Sequence, residues 1–367
     1  MAMAVTFAAT IAVAMVAMAA VWFQFYVPVP TGFDPVGQKH APPPSMEGAV
    51  FTPNEELKRA EKLGIEHVSG PEDLVADSSG RLYFGSAING YIQRMEPDGQ
   101  VDDWADVGGR ALGLEWGPNG DLLACVQNVG LVAVTVTGEV RLLLDSVDNA
   151  SLPTPFFNNL DVSSESRLYV SESSTRWPLE KFVYSMLEGV PSGRLIEYDI
   201  LSNASKILMD GLDFANGVAI SKDEDFLIIA ETGMFRLHRY WLKGPKAGTH
   251  EVFLDNLPGY ADNIHSNRKG LFWIAIPVMR SPASETFVLR YRFMRWLVAS
   301  FPPLWTFFLR NNPGFALAVN EDGKPVMAVM NWSKDHLRMV TTAREYGGYL
   351  YLGNLMWNYL AKFKLTT

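Results

Sequence analysis

Six segments of the chain join a short polar turn to an apolar strand: DSSGRLYFGS, GPNGDLLACV, SSESRLYVSE, SKDEDFLIIA, SNRKGLFWIA and EYGGYLYLGN. Each apolar run is short, rich in β-branched or aromatic residues, and bounded by Gly, Asn, Asp or Ser, the pattern of strands joined by tight turns. Their leading apolar residues are Leu82, Leu122, Leu168, Phe226, Phe272 and Leu350, at intervals of 40 to 78 residues. A four-stranded blade with variable loops occupies that length. Six such units predict an all-β chain closed into a six-bladed β-propeller. Further alternating runs supply the remaining strands: 91–95, GRLIEYDI (193–200), SKILMD (205–210), HRYWL (238–242) and EVFLDNL (251–257).

Ten residues before each leading position stand Glu72, Leu112, Asn158, Asn216, Asp262 and Val340. In a propeller these equivalent positions start the innermost strands and form a ring at one mouth of the central channel. Four of the six carry an oxygen donor. Two carboxylates and two amides make a hard-cation site, and calcium, which takes six to eight oxygens at ~2.3–2.6 Å, is the expected occupant. Asn159 and Asn263 follow two of these positions and are placed to add contacts. A sandwich of two sheets would not repeat polar residues at one fixed offset.

The N-terminus is read differently. The first 33 residues hold no charged side chain, and 1–27 is nearly all apolar, long enough to cross a bilayer of ~30 Å as a transmembrane helix. Trp22, Phe23, Phe25 and Tyr26 end it like an interfacial belt. Ala17-Met18-Ala19 fits a signal-peptide cleavage pattern, but no Lys or Arg precedes the apolar run. The expectation is a single-pass anchor (1–27), a Pro-rich extended linker to the membrane (28–46), and the propeller (47–367), directed to the endoplasmic reticulum or plasma membrane. The propeller is expected on the lumenal or extracellular side, although charge does not set the orientation.

Two insertions break the rhythm. Residues 175–189 read as a loop with a short helix. Residues 288–308 are strongly apolar with Arg290, Arg292 and Arg295 interleaved, which suits either a lid over the propeller or a segment lying in a membrane interface.

Net charge is −9 with no basic run, which argues against nucleic acid as a partner. The single cysteine, Cys125, excludes an internal disulfide and reads as a buried, inert thiol. Sequons at Asn149, Asn203 and Asn331 fall in connections between strands and are candidate glycan sites.

FFNNLDVSSESRLYVSESSTRW, EGVPSGRLIEYD, FANGVAISKDEDFLIIAET, LPGYADNIH and EYGGYLYLGNL together resemble the strictosidine synthase-like propellers, across residues 60–367. The resemblance is to a membrane-anchored branch, with paraoxonases, gluconolactonase-type lactonases and diisopropyl fluorophosphatase as wider relatives. It implies that Glu72, Asn158, Asn216 and Asp262 hold a catalytic calcium, with Asn263 as a further ligand. The chain departs from these families in three places. Leu112 stands where paraoxonases place a His. Asn159 stands where an Asp is usual. Glu345 occupies the place of the strictosidine synthase glutamate without its neighbouring His and Asp.

The expected activity is calcium-dependent hydrolysis of a small-molecule ester or lactone, with Asp262 as general base or nucleophile. Two other functions stay open. One is condensation of an amine with an aldehyde using Glu345 as acid/base. The other is a binding propeller that calcium merely plugs.

Overall fold

The computed structural model describes residues 26–148 and 155–365. They form six four-stranded antiparallel sheets, each a meander from the channel outward. The inner strands are Leu74–Ala76, Ala111–Trp116, Phe157–Val162, Ala215–Ile220, Ile264–Ser266 and Val340–Tyr346. The six apolar runs of the sequence are the second strands, such as Leu122–Val126 and Phe226–Glu231. The fixed offset of ten is therefore one hairpin: an inner strand, a tight turn, and the start of its partner. The later alternating runs form the third and fourth strands as expected, for example Gly193–Asp199 and Ala204–Leu212.

Second strands are sandwiched between neighbouring blades, so Phe226–Glu231 is buried at every position. Fourth strands face water and carry charge, as His250–Leu254 does. The core lies between blades. Ile228 and Phe235 of the fourth blade, for instance, pack with Phe272, Ile274 and Leu317 of the fifth.

Closure uses the N-terminal part of the domain. Glu61–Leu63 pairs antiparallel with Leu360–Lys364 and becomes the outermost strand of the sixth blade. Chain start and chain end thus share one sheet, which leaves no blade incomplete.

Both insertions lie in connections between second and third strands, so both sit on the face where inner strands begin. The first holds the helix Phe182–Glu188. The second holds a π-helical turn, Ser284–Leu289, and the helices Arg292–Ala299 and Pro302–Arg310. Residues 28–46 are extended, but they are not a free spacer. They run as a strap over the same face. Val36 N–H donates to Glu188 O and Gln38 N–H to Leu289 O, both at 2.9 Å. Gln38 also holds the Asp213 carboxylate at 2.6 Å. The expected anchor falls almost wholly on residues 1–25, outside the described residues. Among the described residues no helix is long and apolar enough to cross a membrane.

At the axis, inner strands come within backbone contact. A Cβ on Gly217 would sit 2.4 Å from both Asp262 O and Ile264 N. Gly217→Ala is expected to destabilise by about 1–3 kcal/mol, the range for overpacking. This would show as a lower denaturant midpoint at unchanged slope. An unchanged midpoint would mean that the two strands part without loss.

Candidate functional site

Four of the inner strands open on a bulge, which in the sixth blade lies between Val340 and Thr342. Asn158 and Asn159 together oppose Ser171, Asn216 and Gly217 oppose Ala230, and Leu112 and Gly113 oppose Cys125. A bulge puts two residues against one and re-aims their side chains. The ring residue thereby turns to the channel mouth, while its successor meets the next blade. Where the next backbone is nearest, that successor is glycine: a Cβ on Gly113 would lie 2.6 Å from Asn159 Cα. Elsewhere the successor is polar and ties blades together. Asp73 Oδ2 accepts from Leu114 N–H at 2.9 Å, and Asn159 Oδ1 from Val218 N–H at 2.9 Å.

Glu72, Asn158, Asn216 and Asp262 come together on the floor of one cavity. Asn263 joins them from below, its amide donating to Glu72 Oε1 at 3.2 Å. Each Asn turns its NH₂ away from the centre: Asn158 to Ser173 Oγ at 2.8 Å, Asn216 to Asp262 Oδ1 at 2.8 Å. Four buried oxygens are left with no hydrogen-bond partner among the described residues: Glu72 Oε2, Asn158 Oδ1, Asn216 Oδ1 and Asn263 Oδ1. A buried acceptor without a partner costs about 1–3 kcal/mol, and more when charged. Their convergence marks a site built for a hydrogen-bond donor or a cation. Among the described residues no three His, Cys, Asp or Glu cluster as a metal site; the donors here mix carboxylates with amides.

Burial sets the electrostatics. It raises the Glu72 carboxyl well above its usual range, with Asp262 and Asp73 adding repulsion and Arg110 opposing. Burial likewise pushes Asp262 up to about 7, against the hydrogen bond from Asn216. Arg110 is the cation beside them. It lines the cavity, and its guanidinium is fixed by Gly70 O and Leu355 O at 3.0 and 3.2 Å.

Below the ring lies a second layer. Asp73 is fully buried, which would raise its pKa. His265, Arg344 and Thr342 overcome burial and hold it at about 2. His265 Nε2 lies 2.9 Å from Asp73 Oδ1, and Arg344 Nη2 lies 2.7 Å from His265 Nδ1. Arg344 in turn reaches Glu115 Oε2 at 3.0 Å. The imidazole is enclosed in this network and does not line the cavity, so its work is structural. No histidine lines the cavity among the described residues.

The cavity measures about 830 Å³, and most of its wall is apolar. Leu112 packs there with Phe156 and Phe214, against Leu179, Phe182 and Met186 of the first insertion. The second insertion roofs it with Val288, Val298 and Trp305. Phe182–Glu188 ends at Gly189, whose φ of 64° permits the left-handed cap.

Other expectations are corrected by placement. Glu345 does not share the cavity. It sits toward the far end of Val340–Tyr346 from the ring and accepts from Asn267 Nδ2 at 3.0 Å and Trp273 Nε1 at 3.1 Å. Asn331 is a poor glycan acceptor, because its side chain is 0% exposed and its amide donates to Glu55, Ser333 and Asp335. Asn203 lies in an exposed turn, and Asn149 lies outside the described residues. Arg295 is not a surface charge. It is buried, donating to Leu289 O at 2.7 Å, Leu187 O at 3.1 Å and Gln38 Oε1 at 2.6 Å. Cys125 is free and buried, as expected. The residues missed were Asp73, Arg110 and Arg344. Asp73 follows a ring position, a signal the sequence carried. Nothing local singles out either arginine.

Asp73→Ala is expected to destabilise by about 3–5 kcal/mol, since it takes the buried carboxylate from Arg344 and leaves His265 and Thr342 without their partner. Asp102→Ala, which removes an exposed pair with Arg94, should change stability by no more than ~1 kcal/mol. Denaturant melts of the two variants check this. Equal losses would show that the buried network contributes nothing special.

Family comparisons agree with this architecture. Residues 158–245 match the strictosidine synthase model and 49–95 the strictosidine synthase-like N-terminal model. Adipocyte plasma membrane-associated protein of Gallus gallus is 31% identical over 345 residues, covering 88% of this chain and 82% of the relative. Strictosidine synthase-like protein 4 of Arabidopsis thaliana is 28% identical, covering 84% and 83%. Among solved structures, a gluconolactonase of Xanthomonas campestris superposes with a TM-score of 0.61 at 14% identity, over 93% of this chain and 99% of that one. A regucalcin of Agrobacterium tumefaciens gives 0.57 at 14%, over 83% and 91%. The last two share the fold alone, whereas the sequence relatives span most of both chains: the protein belongs to the strictosidine synthase-like family of six-bladed propellers.

Proposed function

We propose that the protein is a membrane-associated, calcium-dependent hydrolase of esters or lactones. The observation that carries the metal is the set of four orphaned oxygens at the ring. Glu72, Asn158, Asn216, Asp262 and Asn263 would hold the ion, an all-oxygen set of the kind calcium takes. Two structural neighbours bear the names gluconolactonase and calcium-binding regucalcin, but at 14% identity they contribute the fold only. Relatives named for the plasma membrane, with the uncharged N-terminal run, support the membrane association and a secretory route.

When bound, calcium polarises a carbonyl and stabilises charge on its oxygen. The rest falls to the chain. Asp262 faces the cavity, with Oδ1 oriented by Asn216. Burial raises Asp262, and a cation beside it favours the ionised form, which is the form that accepts a proton. Asp262 takes the proton of an attacking water and returns it to the departing alkoxide. An ester then yields an acid and an alcohol, and a lactone a hydroxy acid. Leu112, Phe156 and Phe214 exclude water and seat an apolar acyl group.

Glu345, displaced from the cavity, leaves the condensation without its acid/base. Calcium is expected to raise the melting temperature, reflecting about 2.7 kcal/mol at a hundredfold excess over Kd, and Glu72→Gln to weaken that shift. Asp262→Asn at saturating calcium is expected to lower kcat by ~10²–10⁴ on phenyl acetate or a lactone panel. A melting temperature blind to both calcium and chelator would overturn the metal. Calcium binding without turnover would leave a structural plug.

A further inference from the structure

The roof of the cavity carries most of the exposed aromatic side chains of the described residues. Phe287, Phe293 and Phe307 are 61%, 67% and 64% exposed, with Leu304 and Phe308 beside them in the same insertion. Two of these, Phe307 and Phe308, also line the cavity, so the patch and the cavity mouth are one surface. Large exposed apolar side chains gathered on one insertion mark a docking site. Its charge is equally one-sided. From residue 286 to residue 310 there are four arginines and no acidic residue, in a chain of net charge −9. Arg290, Arg292 and Arg310 are exposed, and among the described residues only Arg292 of the three forms an ion pair, with Asp34 of the strap.

The path of the chain identifies the occupant. The strap ends on the roof itself. Tyr26 packs on Trp296 and Phe301 with ring centroids 6.5 and 6.3 Å apart, and Val27 N–H donates to Ser300 O at 2.9 Å. Residues 1–25, which precede this point, contain no charged side chain. An apolar run able to enter a bilayer is thus joined to the molecule at its exposed aromatic face. Aromatic residues with arginines around them suit the acyl–headgroup boundary of an anionic bilayer.

We infer that the roof helices dock on a lipid bilayer with the cavity mouth against it, so that the site takes a lipophilic ester or lactone from the membrane. The substrate class rests on the hydrolase proposed above; the docking does not.

The test uses the full chain reconstituted in vesicles of phosphatidylcholine and phosphatidylserine. Phe293→Cys carries an environment-sensitive dye. Cys125 does not compete, being buried with its thiol raised well above the usual range. Leu201→Cys, in an exposed turn at the opposite face, is the control. Brominated lipid is expected to quench the dye at 293 several-fold more than at 201. Equal quenching, or a shielded dye that brominated lipid does not quench (a second copy covering the roof), would overturn the docking. Membrane entry is read from the loading of a pyrene-labelled, non-hydrolysable alkyl ether from the same vesicles. Phe307→Asp/Phe308→Asp should slow loading at least tenfold while melting like the wild type, with Phe307→Gln as the milder variant should the double change unfold. Unchanged loading in a folded variant would overturn entry from the bilayer. Quenching and loading as expected, with no hydrolysis of any ester, would refute the hydrolase and leave the docking in place.

Discussion

Closing six blades around one axis forces the inner strands into backbone contact, and the remaining features of the protein follow from that crowding. Where strands press hardest, no side chain fits, and Gly113 and Gly217 stand there. Where polar side chains remain, they must pair across blades or hold something that satisfies them. Asp73 and Asn159 pair, through the backbone of the next blade. Glu72, Asn158, Asn216 and Asn263 keep an oxygen each in reserve. In the first and third blades the division between stitching and binding is one residue of offset, Glu72 against Asp73 and Asn158 against Asn159.

A buried polar layer of this kind is stable only when nearly complete. The lower layer is nearly complete without a ligand, because Asp73, His265, Arg344 and Glu115 bond one another and leave Arg344 Nε over. The upper layer is not, since burial raises both Glu72 and Asp262. Placing the two layers in contact supports an unsatisfied set on a rigid, satisfied one, which is what preorganises a binding site. The charge deficit at the ring is the form binding energy takes before the ligand arrives.

Above the ring the construction changes from polar to apolar. Leu112 replaces a polar ring member and, with Phe156 and Phe214, makes the wall greasy. The insertions and the strap then enclose the cavity, held by buried Arg295 and Glu188. A hard polar floor beneath an apolar vault fits a molecule with one polar group and a large apolar remainder.

The sequence alone determined the propeller, its blade count and the ring. A hairpin of constant length repeats, so equivalent residues recur at one fixed offset, and cyclic closure turns that linear repeat into a circle. The same local logic failed wherever contact depends on parts of the chain far apart. Residues 28–46 read as a spacer, because a Pro-rich extended segment looks the same whether it is solvated or docked. The segment 288–308 read as either a lid or an interfacial stretch, because only the fold reveals the carbonyls of the other insertion to which Arg295 donates. Asn331 carried a sequon that burial withdrew, and Glu345, five residues past the ring position Val340, lay toward the other end of its strand. Arg110 and Arg344 carried no local signal, since their roles come from carboxylates that closure brings to them from distant blades. Periodicity is a property of neighbours in sequence and can be read there. Burial and electrostatic partnership are properties of neighbours in space, and the tertiary structure alone assigns them.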